Sequence, residues 1–260
     1  MVKSKKNFLT VVIITNNEAR NVERCLKSAS TVADEIIVLD SFSTDETPLI
    51  CQKYGVKFIQ KEWAGFAKTK NMANEFASTD WILSLDADEE LSPELQQEIL
   101  DIKKSDHQYF YTFSRLTNYC GKWVQHCGWT PDVKLRLFDR TRARWTGEYV
   151  HETLETDPGI TTLPLRNICR HYSYHSLEDH ARRVNRYSTL AAEERVNRGI
   201  KPSYLKLLFG PGVKFWNTYL LKKGFLDGKE GLFISIISAY GIFLREAKMW
   251  YFKRLQKEKS

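Results

Sequence analysis

No two of the five cysteines (Cys25, Cys51, Cys120, Cys127 and Cys169) are spaced C-x-x-C, and their number is odd. Neither a disulfide framework nor a zinc site is indicated, and a reducing cytosol is the expected compartment. No apolar run reaches the roughly 20 residues that span a bilayer; the longest, Gly231 to Leu244, has 14. The turn after the first apolar segment, TNNEARN, has no Gly-rich phosphate loop, which argues against a nucleotidyltransferase. Internal repeats, low-complexity segments and nucleic-acid-binding motifs are absent as well, so nucleic acid is not an expected partner. Lys3, Lys5 and Lys6 precede Phe8 to Ile14 in the manner of a secretory signal. That run is short, lacks a small-residue cleavage site and leads into Asn16-Asn17-Glu18, so it is read as a first strand.

What is present is an ordinary globular composition. Hydrophobic residues make up 42% and charged residues 27% of 260, enough for one large domain or a catalytic domain with an appendage. The net charge of +7 is unevenly spread. From Arg198 to the end there are 13 Lys/Arg against 4 Asp/Glu, giving +9, so the first 197 residues carry −2. The basic excess of the last quarter points to an anionic surface as its partner.

Strands and helices alternate along the first hundred residues. Phe8 to Ile14, Glu35 to Leu39, Val56 to Gln60 and Trp81 to Leu85 read as strands, the apolar ones as buried members of a parallel sheet. Helices are expected over Ala19 to Ser28, from a Thr44 or Asp45 cap through Tyr54, and over Ala67 to Ala77. Ser92-Pro93-Glu94 is a helix start, with Ser at the cap and Pro in the first turn. From Gln108 the pattern changes to β segments: Tyr109 to Phe113, Val133 to Phe138 and Val150 to Leu154. Helical periodicity returns at Leu177. The expected class is α/β, a mostly parallel nucleotide-binding sheet followed by helices.

The fourth strand, WILSL, ends in Asp86-Ala87-Asp88-Glu89-Glu90. Ligands of open α/β sheets sit outside the carboxyl ends of the strands. Two carboxylates there repel unless a cation neutralises them, and hard divalent ions take oxygen ligands together with substrate phosphates. Either this is a metal-diphosphate site or it is a solvated acidic loop capping the next helix. Lys134 and Arg136 alternate onto one strand face, suited to an anionic acceptor or the diphosphate, or to plain solvation. His171, His175 and His180 have spacings that match no zinc motif; His171 is a candidate diphosphate contact and the other two are structural. Trp123, Trp129 and Trp145 are candidate sugar platforms or core residues.

The ordered segments VVIITNNEARNVERCLKS, EIIVLDSFSTDET, GFAKTKNMA and DWILSLDADEELSPEL together resemble glycosyltransferase family 2, the inverting GT-A transferases. The resemblance covers roughly residues 8 to 155. RLFDRTRARWTGEYVHETL and the His171-Tyr172-Ser173-Tyr174 block look like the branch of lipopolysaccharide-core β-1,4-glucosyltransferases. The resemblance implies a GT-A catalytic domain over residues 1–175 and a basic helical extension over 176–260. It implies that Asp40 binds the base or ribose and that Thr15, Asn17 and Glu18 line the same pocket, helix capping being the other reading of Asn17 and Glu18. Lys70 and Asn71, with Lys68 nearby, would face the donor. Asp86 and Asp88 would hold Mg²⁺ or Mn²⁺, Asp88 as the stronger ligand and Asp86 also as a contact to the ribose or donor sugar, and His151 is a candidate third ligand or diphosphate contact. Glu152 is the candidate general base, in a His-Glu pair where many relatives have Glu-Asp.

The implied activity is transfer of a hexose, glucose from UDP-glucose, onto a lipopolysaccharide-core or other lipid-linked acceptor. A capsule or exopolysaccharide transferase and a non-catalytic nucleotide-sugar-binding protein are the rivals. In the tail, the apolar runs Leu205 to Phe209, Val213 to Leu221 and Leu232 to Leu244 are interleaved with Lys, Arg, Trp and Tyr. That profile fits helices lying peripherally in an anionic membrane interface, on the inner face of the cytoplasmic membrane. A packing domain with a basic solvent face, or an oligomer interface, has the same profile.

Overall fold

The computed structural model describes residues 8–104, 109–147 and 152–258. His151, with Tyr149 and Val150 beside it, lies outside the described residues, as do Lys3, Lys5, Lys6 and Gln108. The chain divides into two compact units, Met1–Arg115 with Asp132–Tyr172, and Leu116–Pro131 with Ser173–Ser260.

The first unit begins with the expected alternation: β1 (Leu9–Thr15), α1 (Val22–Ala29), β2 (Glu35–Asp40), α2 (Thr47–Lys53), β3 (Lys57–Gln60), α3 (Phe66–Glu75) and β4 (Trp81–Asp86). A short β5 (Glu89–Leu91) occupies what the sequence suggested was loop, and α4 (Pro93–Lys103) follows. Ser92 caps α4, its hydroxyl accepting the Leu95 amide at 3.2 Å. Then come β6 (Phe110–Tyr119), β7 (Lys122–Val124), β8 (Asp132–Asp139), β9 (Ala143–Thr146), β10 (Thr153–Thr156) and β11 (Thr162–Tyr174).

The sheet order is β3-β2-β1-β4-β8-β6-β11-β5, with β7 paired to β6, and β9-β10 form a separate ribbon. The first four strands are parallel; β8 joins β4 antiparallel, with Leu83 opposite Leu137. The central strand β1 is buried along its whole length, which is why LTVVIIT lacks an apolar-polar alternation. Leu9, Val11 and Ile13 face α1 and α4 through Leu26 and Ile99. Val12 and Ile14 face α3 through Ala67 and Ala73. Each such aliphatic side chain contributes about 1.5–3 kcal/mol by leaving water.

In the second unit, α5 (Leu177–Asn197) and α6 (Tyr204–Trp216) both pack on the long α7 (Gly228–Glu258). The β6–β7 end and the loop after it are pinned to the segment before α7. The buried Asp227 carboxylate accepts the His126 amide at 2.8 Å and faces its ring nitrogen at 3.0 Å. Gly231 is needed where the chain comes closest, since a Cβ there would lie 1.8 Å from the Gly224 carbonyl oxygen. Among the described residues no helix is long and apolar enough to cross a membrane.

Candidate active site

The parallel strands β1, β2 and β4 all end on the same side, and the sequence-predicted polar residues collect there. At the ends of β1 and β2 the two loops are laced together. Asn16 donates to the Ser41 carbonyl at 2.7 Å, the Asn17 amide donates to Ser43 Oγ at 2.7 Å, and Asn17 Oδ1 accepts the Thr44 amide at 2.8 Å. The Glu18 amide donates to Thr47 Oγ1, and Asp45 accepts the Ala19 and Thr47 amides. Asn17 adopts a left-handed backbone, φ 56°, which Asn tolerates better than most residues. Asp40 lies fully buried beneath this lacing. It accepts from Thr15 Oγ1 at 2.9 Å, the Ser43 amide at 2.8 Å and Gln60 Nε2 at 3.2 Å. Asp40 thus organises the Ser41–Ser43 turn, while Asn17 forms the exposed rim.

The D-x-D turn is held from both sides of the sheet. The buried Glu89 closes it by accepting the Asp86 amide at 2.9 Å. From α3, Lys70 places Nζ 2.9 Å from Asp86 Oδ1 and 3.2 Å from Glu152 Oε1, with the Trp145 ring 4.6 Å away. Arg136 places Nη2 2.6 Å from Asp86 Oδ2 and 2.8 Å from Glu89 Oε1. Arg115, on β6, reaches Glu89 at 2.8 Å, Asp86 at 3.4 Å and Asp132 at 2.6 Å. Burial pushes the Asp86 carboxyl up, but Arg136, Lys70 and Arg115 outweigh it and hold the group well below the usual carboxylate range.

Asp88 is separate. β5 pairs with β11 so that Glu89 stands opposite His171, the Asp88 carbonyl accepts the Tyr172 amide at 2.8 Å, and His171 Nε2 lies 3.3 Å from Asp88 Oδ2. Burial opposes the imidazolium, yet Asp88 raises the His171 pKa, and His171 in turn draws the Asp88 carboxyl down against its own burial.

Two carboxylates this close need a neutralising cation. The folded chain meets that need for Asp86 with its own lysine and arginines. The candidate ion ligands set apart from that network are Asp88 and His171. Adjacent ligands on an ion with bonds near 2.1 Å stand about 3 Å apart, so a carboxylate oxygen and an imidazole nitrogen 3.3 Å apart fit such an ion. No group of three or more acidic, histidine or cysteine ligands occurs among the described residues. An ion here would therefore take its other ligands from phosphate and water.

Arg136 reaches the turn because of a register shift. Thr112 pairs with Leu135 but Tyr111 with Leu137, so Arg136 is the extra residue of a β-bulge. Bulges re-aim side chains; here the guanidinium turns inward, with Nε and Nη1 buried and unpartnered among the described residues. Lys134, before the bulge, stays part-exposed and pairs with Asp132 at 3.0 Å. Asn71 makes a reciprocal pair of bonds with the Trp145 backbone, 2.8 and 3.0 Å, and so anchors β9 to α3. Trp145 packs in the core, and Trp129 stacks on Tyr174. His180 hydrogen-bonds the Tyr119 hydroxyl at 2.9 Å. Beyond α3 a cleft of about 460 Å³ is lined by Asn74, Glu75, Arg142, Arg144, Glu155 and Asp157 among others.

Sequence reasoning did not single out Arg115 or Asp132. The signal available was one arginine inside an aromatic strand, FYTFSRLTNY. Burial, then Glu89 and Asp88, raise the Cys25 thiol well above its ordinary value, and burial lifts Cys51 to about 11, which disfavours the thiolate at both.

The glycosyl transferase family 2 profile matches residues 10–154. The chain belongs to that family. It is a glycosyltransferase, and its α/β sheet with flanking helices is the family's GT-A-type architecture. An uncharacterized glycosyltransferase of Rickettsia bellii is 32% identical, over 93% of this chain and 85% of the relative. The lipopolysaccharide core biosynthesis glycosyltransferase LpsC of Rhizobium meliloti is 28% identical, over 93% and 92%. Among solved structures, Staphylococcus aureus TarS 1–349 with UDP is 14% identical, covers 95% of this chain and 91% of its own, and has a TM-score of 0.47.

Proposed function

We propose that this glycosyltransferase is a metal-dependent inverting hexosyltransferase, moving glucose from UDP-glucose onto a lipopolysaccharide-core or other lipid-linked envelope acceptor. The observation that carries the reading is Lys70, buried between Asp86 and Glu152 and bonded to both. It ties a carboxylate 82 residues further along the chain to the D-x-D turn.

The donor's nucleoside lies over the laced β1 and β2 loops. Asn17 and Glu18 form its rim, while Thr15 and Asp40 hold the turn beneath it. Asp88 and His171 would hold Mg²⁺ or Mn²⁺. Such an ion would supply electrostatic stabilisation of the charge that grows on the departing nucleoside diphosphate. Asp86 is held by Lys70 and Arg136. Arg136 keeps Asp86 and Glu89 in place from beneath the turn, and the part-exposed Lys134 is a cation for the diphosphate or an anionic acceptor. Glu152, oriented by Lys70, takes the proton from the acceptor hydroxyl as that oxygen attacks the anomeric carbon opposite the leaving group. Asn71 keeps β9 against α3 and so supports the ribbon leading to Glu152.

The acceptor class draws on the name of the Rhizobium meliloti relative, which spans nearly the whole chain. A lipid-linked acceptor sets the reaction at a membrane surface, and we assign it to the inner face of the cytoplasmic membrane.

Titration calorimetry with UDP-, GDP- and ADP-sugars, with and without Mn²⁺, tests the donor. UDP-glucose should bind in a metal-dependent way, and Asp88→Asn or His171→Ala should remove that dependence. Metal-independent binding, or none, would sink the mechanism. Glu152→Gln should keep donor binding and lose about 10²–10⁴-fold in turnover; retained turnover moves the base elsewhere.

A further inference from the structure

The last quarter of the chain contains an amphipathic helix that faces the wrong way for a core element. In α6, Leu205, Leu208, Phe209, Val213 and Trp216 recur at the spacing of one helical face, the spacing that normally marks the side turned inward. Here it is the outward side. Leu205 is 70%, Leu208 69%, Phe209 64% and Val213 68% exposed, and no residue of α6 is buried. The opposite face is the one that packs within the unit: a Cβ at Gly210 would sit 3.1 Å from Ile242 of α7, a close approach that glycine permits. The apolar surface continues past the helix through Leu220 and Leu221, the latter 76% exposed, to Phe225 and Leu226.

Soluble proteins rarely leave so many large apolar side chains contiguous and exposed unless something covers them. The charges around this face select the occupant. From Gly199 to Lys229 there are six lysines and one acidic residue, Asp227, and that aspartate is buried against His126. A protein partner of mixed charge, or a second copy of this +7 chain, would have to meet those lysines with acids. A headgroup layer of anionic phospholipid meets them uniformly, and beneath it lies an apolar phase for the leucines and aromatics.

We infer that the outward face of α6, continued by Leu220–Leu226, inserts into an anionic phospholipid monolayer, with Lys206, Lys222 and Lys223 at headgroup level. The inference stands on this face and not on the catalytic assignment; a chain with an inert active site would still bind lipid this way. It differs from a general attraction of the basic tail, because it assigns insertion to α6 and Leu220–Leu226, where exposure is greatest, rather than to α7, whose exposed Ile236, Tyr240 and Phe243 are each about half covered.

The test is sedimentation of the full chain with phosphatidylcholine vesicles that contain about one-third phosphatidylglycerol or none, at about 0.1 M and 0.5 M salt. Binding should require the anionic lipid and weaken at high salt. Phe209→Glu and Leu208→Glu should each lower the partition coefficient about tenfold or more, with an unchanged thermal midpoint and unchanged UDP-sugar binding. Brominated lipid should quench part of the tryptophan emission, and Trp216→Phe should abolish that part. Equal binding to neutral and anionic vesicles overturns the proposal, and so does no binding. Self-association in the ultracentrifuge that Phe209→Glu abolishes, without vesicle binding, assigns the face to a second copy instead. Failure of lipid binding with UDP-sugar binding intact would leave the proposed chemistry untouched.

Discussion

Lys70, Arg136 and Glu89 lie in the interior of the sheet-bearing unit, whereas Leu205, Phe209 and Leu221 face outward in the helical one. The two units depart from the usual sorting of side chains in opposite senses. Desolvating ions costs several kcal/mol each unless partners and geometry offset it, and in the first unit the offset is a closed network. Arg136 and Arg115 share Glu89, Lys70 and Arg136 share Asp86, and Glu89 returns to the Asp86 amide. Its effect is to fix the D-x-D turn. In the second unit the exposed apolar face has no counterpart within the described chain. Local conflict with folding rules marks functional positions, and here the two conflicts are a buried ion network at the D-x-D turn and an exposed apolar face on α6.

That contrast can be broken experimentally, beginning where the effect is largest. Glu89→Ala leaves Arg115 and Arg136 facing each other without their shared acid. Urea unfolding should report a loss of about 3–5 kcal/mol, the range for breaking a buried ion network by removing one partner. A loss below 1 kcal/mol would mean the network is water-filled and not structural.

An intermediate effect concerns acidity in the second unit. Burial, reinforced by Arg183 and opposed by Asp179, lowers the His180 pKa from 6.5 to about 4; the Tyr119 hydroxyl and the rings of Tyr174 and Trp129 also face it. The unfolded chain therefore takes up the proton first on acidification. The His180 contribution should be whole above about pH 6.5 and be lost progressively toward pH 4. His180→Gln should flatten that part of the stability profile, and an unchanged profile would remove His180 as its cause.

The smallest effect is the most discriminating. Phe209→Ser should shift folding stability by no more than about 0.5 kcal/mol, as at a surface position. A loss of several kcal/mol would show that α6 already buries this face against the chain in solution.

The first four strands, their helices and the D-x-D turn were legible because each depends on neighbours a few residues away. LTVVIIT and WILSL are apolar throughout because both faces of a parallel sheet are covered, and Ser92-Pro93 stops and restarts the chain by local hydrogen bonding. The family resemblance was legible for the same reason, as its motifs are contiguous. Three things were not. The β5–β11 pairing brings His171 to Asp88 across 83 positions, and strand pairing at that distance is a property of the whole sheet. The bulge at Arg136 reverses the alternation that made Lys134 and Arg136 look equivalent, and a one-residue register shift leaves no mark in composition. The apolar stripe of α6 was visible as a period, but periodicity gives the width of a face and not its direction. Whether it meets protein or water depends on which side of the helix α7 occupies, and only the tertiary packing decides that.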